Sequence, residues 1–244
     1  MKAIRDSVIV VTGASGGIGS AICRKLASQG ARLVMVARDK ARLTALAKEL
    51  PAAVAMAEDV TKEGAAARIV DQALAKFGRI DALVNGAGRG MWAPIEKLDL
   101  RRYQELFDLN VLAALRLMQA VIPVMRNQGG GAIVNISSAS SKLFIVPNLA
   151  GYSSTKYALN CLSLTAREEV KKDGITVSVI YPILVNTDFG RNSVVPEPDW
   201  LRVPGPSDPK LPMITPEEVS ERLSALLLSG EAEMIVGPQA RHDS

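Results

Sequence analysis

The sequence predicts an α/β fold: a single doubly wound domain spanning 1–244, built on a parallel seven-stranded sheet with helices on both faces. Three observations lead there. Short runs rich in Val, Ile, Leu and Ala recur along the chain with little polar alternation, the pattern of strands buried on both faces. Stretches with helical spacing separate these runs almost to the end, the order that yields parallel strands joined by right-handed crossovers. Glycine-rich turns follow the first and fourth runs, at the carboxyl ends of strands, where such sheets bind ligands.

Taken in order, residues 8–11 form a first strand, followed by a glycine turn and an Ala/Leu helix to about Gln29 that Gly30 stops. Residues 33–37 are a second strand and 39–50 a helix closed by Pro51; residues 54–56 are a third strand and 62–77 a helix ended by Gly78. A fourth strand, 82–84, runs into Asn85-Gly86-Ala87-Gly88. A long helical region then covers 100–126, with Pro123 kinking its last turns, before Gly129-Gly130-Gly131 and a fifth strand at 132–136. Residues 152–172 suit a helix and 176–180 a sixth strand. The proline-rich stretch 182–213 shows no sustained period and reads as a functional loop, a lid over the substrate. Thr215-Pro216-Glu217-Glu218 starts a helix with a capping box, and 233–236 supplies the last strand.

Composition excludes several functions. Lys and Arg are scattered and the net charge is only +4 over 244 residues, which is a solvated surface rather than a nucleic-acid stripe. Cys23 and Cys161 form no Cys-x-x-Cys, and His242 stands alone, so no metal site is expected and the thiols suit a reducing compartment. No apolar stretch approaches the ~20 residues of a membrane span, and no signal-peptide pattern is present. The expectation is a cytoplasmic protein with no membrane or nucleic-acid partner.

The first turn reads Thr12-Gly13-Ala14-Ser15-Gly16-Gly17-Ile18-Gly19. A glycine cluster alone fits any tight turn. Between a strand and a helix it lets the backbone approach a pyrophosphate and offers it the helix N-terminus. Just past the second strand a carboxylate would select the ribose hydroxyl of NAD, whereas arginine suits the extra phosphate of NADP. Arg38 stands there, preceded by Ala37, and Asp39 reads as the cap of the next helix. The expected cofactor is therefore NADP(H) rather than NAD(H). Tyr152 and Lys156 lie four apart, on one helix face. That spacing fits an ordinary amphipathic helix, and it equally fits a phenol whose pKa a nearby ammonium lowers for proton transfer.

Across nearly its whole length the chain resembles the classical short-chain dehydrogenase/reductase family, whose domain is a Rossmann fold. The matching residues are Gly13, Gly17 and Gly19; Asp59-Val60 after the third strand; Asn85-Gly86-Ala87-Gly88, where Gly86 replaces an asparagine; Asn110; Ile136-Ser137-Ser138; and Tyr152 with Lys156. The motif after the sixth strand reads Pro182-Ile183-Leu184-Val185-Asn186-Thr187, with Ile183 in place of a glycine. The resemblance implies that Tyr152 exchanges a proton with the carbonyl or alcohol oxygen, Ser138 orients that oxygen, Lys156 lowers the Tyr152 pKa and holds the nicotinamide ribose, and Asn110 anchors a water chain. Ser140 is the alternative to Ser138. The implied cofactor contacts are Gly13, Ser15, Gly17, Ile18, Gly19, Asp59, Val60, Asn85, Ala87, Val185 and Thr187, beside Tyr152, Lys156 and the separately read Arg38.

Substrate contacts are expected from 89–92, 142–146 and 189–213, with Arg89, Lys142 and Arg191 as anion partners. The expected function is NADPH-dependent reduction of a ketone or aldehyde, reversible as alcohol oxidation. Its rivals are a catalytically silent NADP-binding sensor and a Rossmann-type methyltransferase, which explains neither Arg38 nor Tyr152 with Lys156. The resemblance further implies a homodimer or homotetramer formed through 103–125 and 152–170.

Overall fold

The computed structural model describes residues 1, 3–143, 145–190, 193 and 213–237. Most of the expected lid, including Arg191 and residues 194–212, lies outside these, as does His242. Seven parallel strands are ordered β3-β2-β1-β4-β5-β6-β7: β1 (Val8–Thr12), β2 (Arg32–Ala37), β3 (Ala53–Ala57), β4 (Ala82–Asn85), β5 (Gly131–Ile136), β6 (Ile175–Pro182) and β7 (Glu233–Val236). The helices are α1 (Gly17–Ser28), α2 (Lys40–Glu49), α3 (Ala65–Phe77), α4 (Leu100–Phe107), α5 (Ala113–Asn127), α6 (Ala150–Val170) and α7 (Pro216–Ser229).

The two-residue period of each strand distributes its side chains between two apolar layers. Ile9, Val11, Leu33, Met35, Val84 and Ile180 pack with α1, α2 and α7. Val10, Val34, Val36, Leu83, Ile133 and Val177 pack with α3 and α5. Both faces are covered, which is why the central strands carry almost no polar residue. The strand order reverses between β1 and β4, and the two glycine turns leave the sheet side by side at that point. Thr12 joins them: its hydroxyl accepts from Gly86 N at 3.1 Å and Ala87 N at 3.2 Å.

Two helices differ from expectation. α3 starts at Ala65 rather than residue 62. The Asp59 carboxylate captures Thr61 N at 3.0 Å and Thr61 Oγ1 at 2.7 Å, and Gly64 enters the helix at φ 72°. That local turn competes with the first helical turn and displaces it. The region 100–126 is also not one helix, because a π-helical turn, Asp108–Leu112, separates α4 from α5. Leu100–Asn127 as a whole is nonetheless long and apolar enough, by length and composition, to cross a membrane, which corrects the expectation that no stretch approaches that length. Here its apolar residues Leu117, Met118, Val121 and Met125 are spent on the sheet.

At α7 the expected capping box is present: Thr215 Oγ1 accepts from Glu218 N, and the Glu218 side chain accepts from Thr215 N. Losing an exposed cap of this kind costs about 1 kcal/mol. Thr215→Ala is therefore expected to lower the unfolding free energy by that amount, read as a lower urea midpoint with an unchanged m-value, and an unchanged midpoint would show that α7 does not depend on its cap.

Candidate active site

The glycine turn is shaped by close approach. Gly13 sits at φ 71°, and a Cβ there would fall 2.6 Å from the Gly86 carbonyl oxygen. Gly19 has no room for a Cβ against the Gly13 carbonyl, so α1 starts directly on the turn. No side chain caps α1 at Gly16, no acidic residue lies in its first turn, and Gly16 and Gly17 are exposed. A helix start of that kind suits an anion. Ser15 lies half-buried beside it, and Ile18 packs into the core below. From the end of β6, Thr187 reaches this turn, its Cγ2 lying 2.6 Å from where a Gly17 Cβ would be. Val185 bridges to Ile214.

On the far side of the sheet reversal, Arg38, Asp59, Thr61, Arg89, Glu105 and Leu109 line a cleft of about 130 Å³. Arg38 is exposed. Burial raises the Asp59 pKa, but the Thr61 hydrogen bonds and the Arg38 charge outweigh it and hold the carboxyl below its ordinary value. Val60 is buried behind it. Arg89, expected among the anion partners of the substrate, thus stands on the Arg38 side. Glu105, Leu109 and Thr61 were not singled out from sequence, because only the π-turn and the Asp59 turn bring them to this wall. Asn85 turns its side chain into the sheet, donating to Asn135 Oδ1 at 2.8 Å.

The third group gathers where β4, β5, α6 and the π-turn meet. Asn110 is buried; it accepts from Arg89 N at 3.0 Å and donates to Arg89 O at 3.0 Å and Thr155 Oγ1 at 3.0 Å. Lys156 Nζ donates to the Ile136 carbonyl at 2.9 Å and lies 5.8 Å from the Tyr152 ring centroid. A Cβ on Gly88 would sit 3.2 Å from Asn110 Oδ1 and 3.5 Å from Lys156 Nζ, so glycine there leaves room for both side chains. The Ser138 side chain lies close enough to the Tyr152 phenol to favour its ionised form. Ser140 Oγ lies 3.1 Å from Ser138 Oγ and 3.1 Å from Ser153 Oγ, one step removed from the phenol. Ser137 is braced by Asn160 at 2.6 Å and by Ser141 at 3.1 Å.

The electrostatics differ from the expectation drawn from the Tyr–Lys spacing. Burial pushes the Tyr152 phenol up to about 12, only partly offset by the Ser138 side chain. Burial also pulls Lys156 down to about 8. In this arrangement desolvation, not the ammonium, sets the phenol's acidity. One further expectation changes. Lys142 is paired with Glu233 at 2.6 Å and lies over the Tyr181 ring, so its charge is already matched. Ile183 stands where the resemblance has glycine, and it fits because Gly237 leaves room: a Cβ there would be 2.5 Å from Ile183 Cδ1.

A family model described as short chain dehydrogenase matches residues 7–197. An uncharacterised oxidoreductase of Staphylococcus epidermidis is 35% identical over 198 residues, covering 78% of this chain and 85% of that protein. One from Methylorubrum extorquens is 38% identical over 193 residues, 77% of each. Among solved structures, the Brucella melitensis 3-ketoacyl-(acyl-carrier-protein) reductase complexed with NADH superposes with a TM-score of 0.86 at 27% identity, covering 96% of this chain and 98% of that one. A metagenomic short-chain oxidoreductase in complex with NADP gives 0.79 at 32% identity, covering 98% and 100%. The chain belongs to the short-chain dehydrogenase family, as an oxidoreductase with the nucleotide-binding Rossmann fold.

The uncapped α1 start and the glycine approach at Gly13 fit a dinucleotide pyrophosphate. Gly86 is part of that approach, since a Cβ on it would fall 2.8 Å from the Thr12 carbonyl and 3.2 Å from Ile136 Cδ1. Installing the asparagine of the family pattern, Gly86→Asn, is expected to cost about 1–3 kcal/mol of stability and to weaken dinucleotide binding in a fluorescence titration. Wild-type stability and affinity would show that the two turns have slack.

Proposed function

We propose that the protein is an NADPH-dependent reductase of ketones or aldehydes, running in reverse as an alcohol dehydrogenase, with Tyr152 as its proton donor and acceptor. The observation that carries this reading is the convergence of Tyr152, the Ser138 hydroxyl and the buried Lys156 at one point. A silent nucleotide sensor has no use for a buried ammonium beside a buried phenol.

A bound nicotinamide supplies the hydride for the carbonyl carbon. Gly13, Ser15, Gly17, Ile18 and Gly19 would hold the pyrophosphate end, Asp59, Val60, Asn85 and Ala87 the adenosine, and Lys156, Tyr152, Val185 and Thr187 the nicotinamide half. The NADP preference rests on Arg38, exposed beside Asp59 with no acidic side chain at position 37. The structural relative solved with NADP is compatible with it, and the one solved with NADH shows that the fold accepts either.

On the protein side, Ser138 donates to the carbonyl oxygen and Tyr152 passes it a proton, so that the oxygen, still bonded to its carbon, becomes a hydroxyl. With a phenol pKa near 12, Tyr152 is protonated and ready as an acid at neutral pH. The charge of Lys156 favours the phenolate formed when that proton leaves. Asn110, bonded to Thr155 one residue before Lys156, would connect the site to water and return the proton.

Three outcomes test this. Tyr152→Phe is expected to lower kcat by 10²-fold or more while NADPH still binds; undiminished turnover contradicts the assignment. Arg38→Ala is expected to weaken NADPH at least tenfold and leave NADH affinity within a factor of two, and equal effects on both refute the phosphate contact. Lys156 is charged below pH about 8 and neutral above it, so kcat/KM for reduction should be level near neutrality and fall as pH rises through about 8. Lys156→Arg, with its higher pKa, should move that limb to higher pH, and a profile flat to pH 10 in the wild type would deny the ammonium a role.

A further inference from the structure

Beyond β6 the chain comes back over the site. Phe189 sets its ring edge-on to Tyr152, with centroids 5.6 Å apart and planes at 63°. Both of its backbone groups are held by side chains: Phe189 N donates to Thr187 Oγ1 at 3.3 Å, and Phe189 O accepts from Ser193 Oγ at 3.0 Å. Its seat is Gly90. A Cβ there would lie 3.1 Å from Phe189 Cε1 and would overlap the Ser193 hydroxyl, which is itself buried. The ring is therefore positioned rather than loose. Yet Phe189 remains 39% exposed, while the phenol it touches belongs to a residue only 8% exposed. Among the described residues, part of Phe189 is thus left uncovered beside a nearly closed proton donor.

We propose that Phe189 is a specificity-determining wall of the carbonyl pocket, and that it selects ketones carrying an apolar, planar group next to the carbonyl. An aryl group laid on the exposed part of the ring removes apolar surface from water on both partners and gains the favourable geometry of an aromatic pair. The carbonyl of such a ketone then comes to the edge where Phe189 meets Tyr152. Lys142 agrees with that choice, since it has its charge matched by Glu233 rather than offered to an anionic substrate. The inference rests on the reading of Tyr152 as the proton donor and goes further, naming the chemistry of the substrate's flanking group.

The test is a comparison of kcat/KM for acetophenone and 2-butanone, with NADPH, in the wild type and three variants. The wild type is expected to prefer acetophenone. Phe189→Ala is expected to reduce the acetophenone-to-butanone ratio by on the order of 10-fold or more, through a higher KM for acetophenone. Gly90→Ala, which pushes Phe189 and Ser193 off their seat, should reduce it in the same direction, whereas Phe189→Tyr, which keeps the ring, should retain the wild-type ratio. A wild type that prefers butanone overturns the proposal. So does a Phe189→Ala variant in which both ketones fall in parallel, since a ring that only braces Tyr152 would act that way. The underlying reading fails separately: active Tyr152→Phe refutes the proton donor, whereas inactive Tyr152→Phe with an unaltered Phe189→Ala ratio refutes only the wall.

Discussion

Lys156 carries an amine into a place that is 5% exposed, and much of the surrounding structure follows from keeping it there. Burial disfavours the charged form strongly enough to bring its pKa to about 8. What keeps the ammonium viable is a short bond to the Ile136 carbonyl at the end of β5 and the face of the Tyr152 ring. Each of these is supplied by a different part of the chain. The carbonyl is free for the lysine because β5 ends there, the ring comes from the preceding turn of α6, and the missing side chain of Gly88 leaves the space. The fold is thus tied to the site at the point where strand order reverses and the carboxyl ends of the central strands are open.

The π-turn at Asp108–Leu112 belongs to the same constraint. Asn110 makes three hydrogen bonds inside it, two to the Arg89 backbone and one to Thr155. A regular helix through this region would carry the amide round to another direction. The extra residue in the turn is the local distortion that this bonding demands. The serines after β5 divide their work in a similar way. Ser137 and Ser141 are absorbed by Asn160 and fasten the loop to α6. That fastening leaves Ser138 against the phenol and Ser140 behind it.

The sheet was legible in the sequence because its strands are apolar on both faces, and helix ends such as Thr215 and Gly78 carry their own chemistry. The glycine turn was legible from its position between a strand and a helix, whereas the four-residue spacing of Tyr152 and Lys156 left their role open until the family motif was set beside it. What escaped was set by distant partners. The break between α4 and α5 is caused by hydrogen bonds to residues 21 and 45 positions away, with no glycine or proline to mark it. The upward shift of Tyr152 comes from burial, and a four-residue spacing carries no information about depth. Lys142 looked free until folding brought Glu233 to it from 91 residues on. Residues 189–213 were expected to meet the substrate, but no period within that proline-rich stretch singles out Phe189, and only the fold sets it against Tyr152 and Gly90.

The central claim is that this site moves a hydride to a carbonyl carbon and a proton to its oxygen. The most direct measurement follows the label. Purified protein is incubated with a ketone and NADPH carrying deuterium at the transferable C4 position, and the alcohol is analysed by mass spectrometry and NMR. One deuterium on the carbinol carbon of each product molecule and a solvent-exchangeable proton on its oxygen are expected. Bound NADPH with no deuterated alcohol from any carbonyl compound, under conditions where the protein is folded, would contradict it.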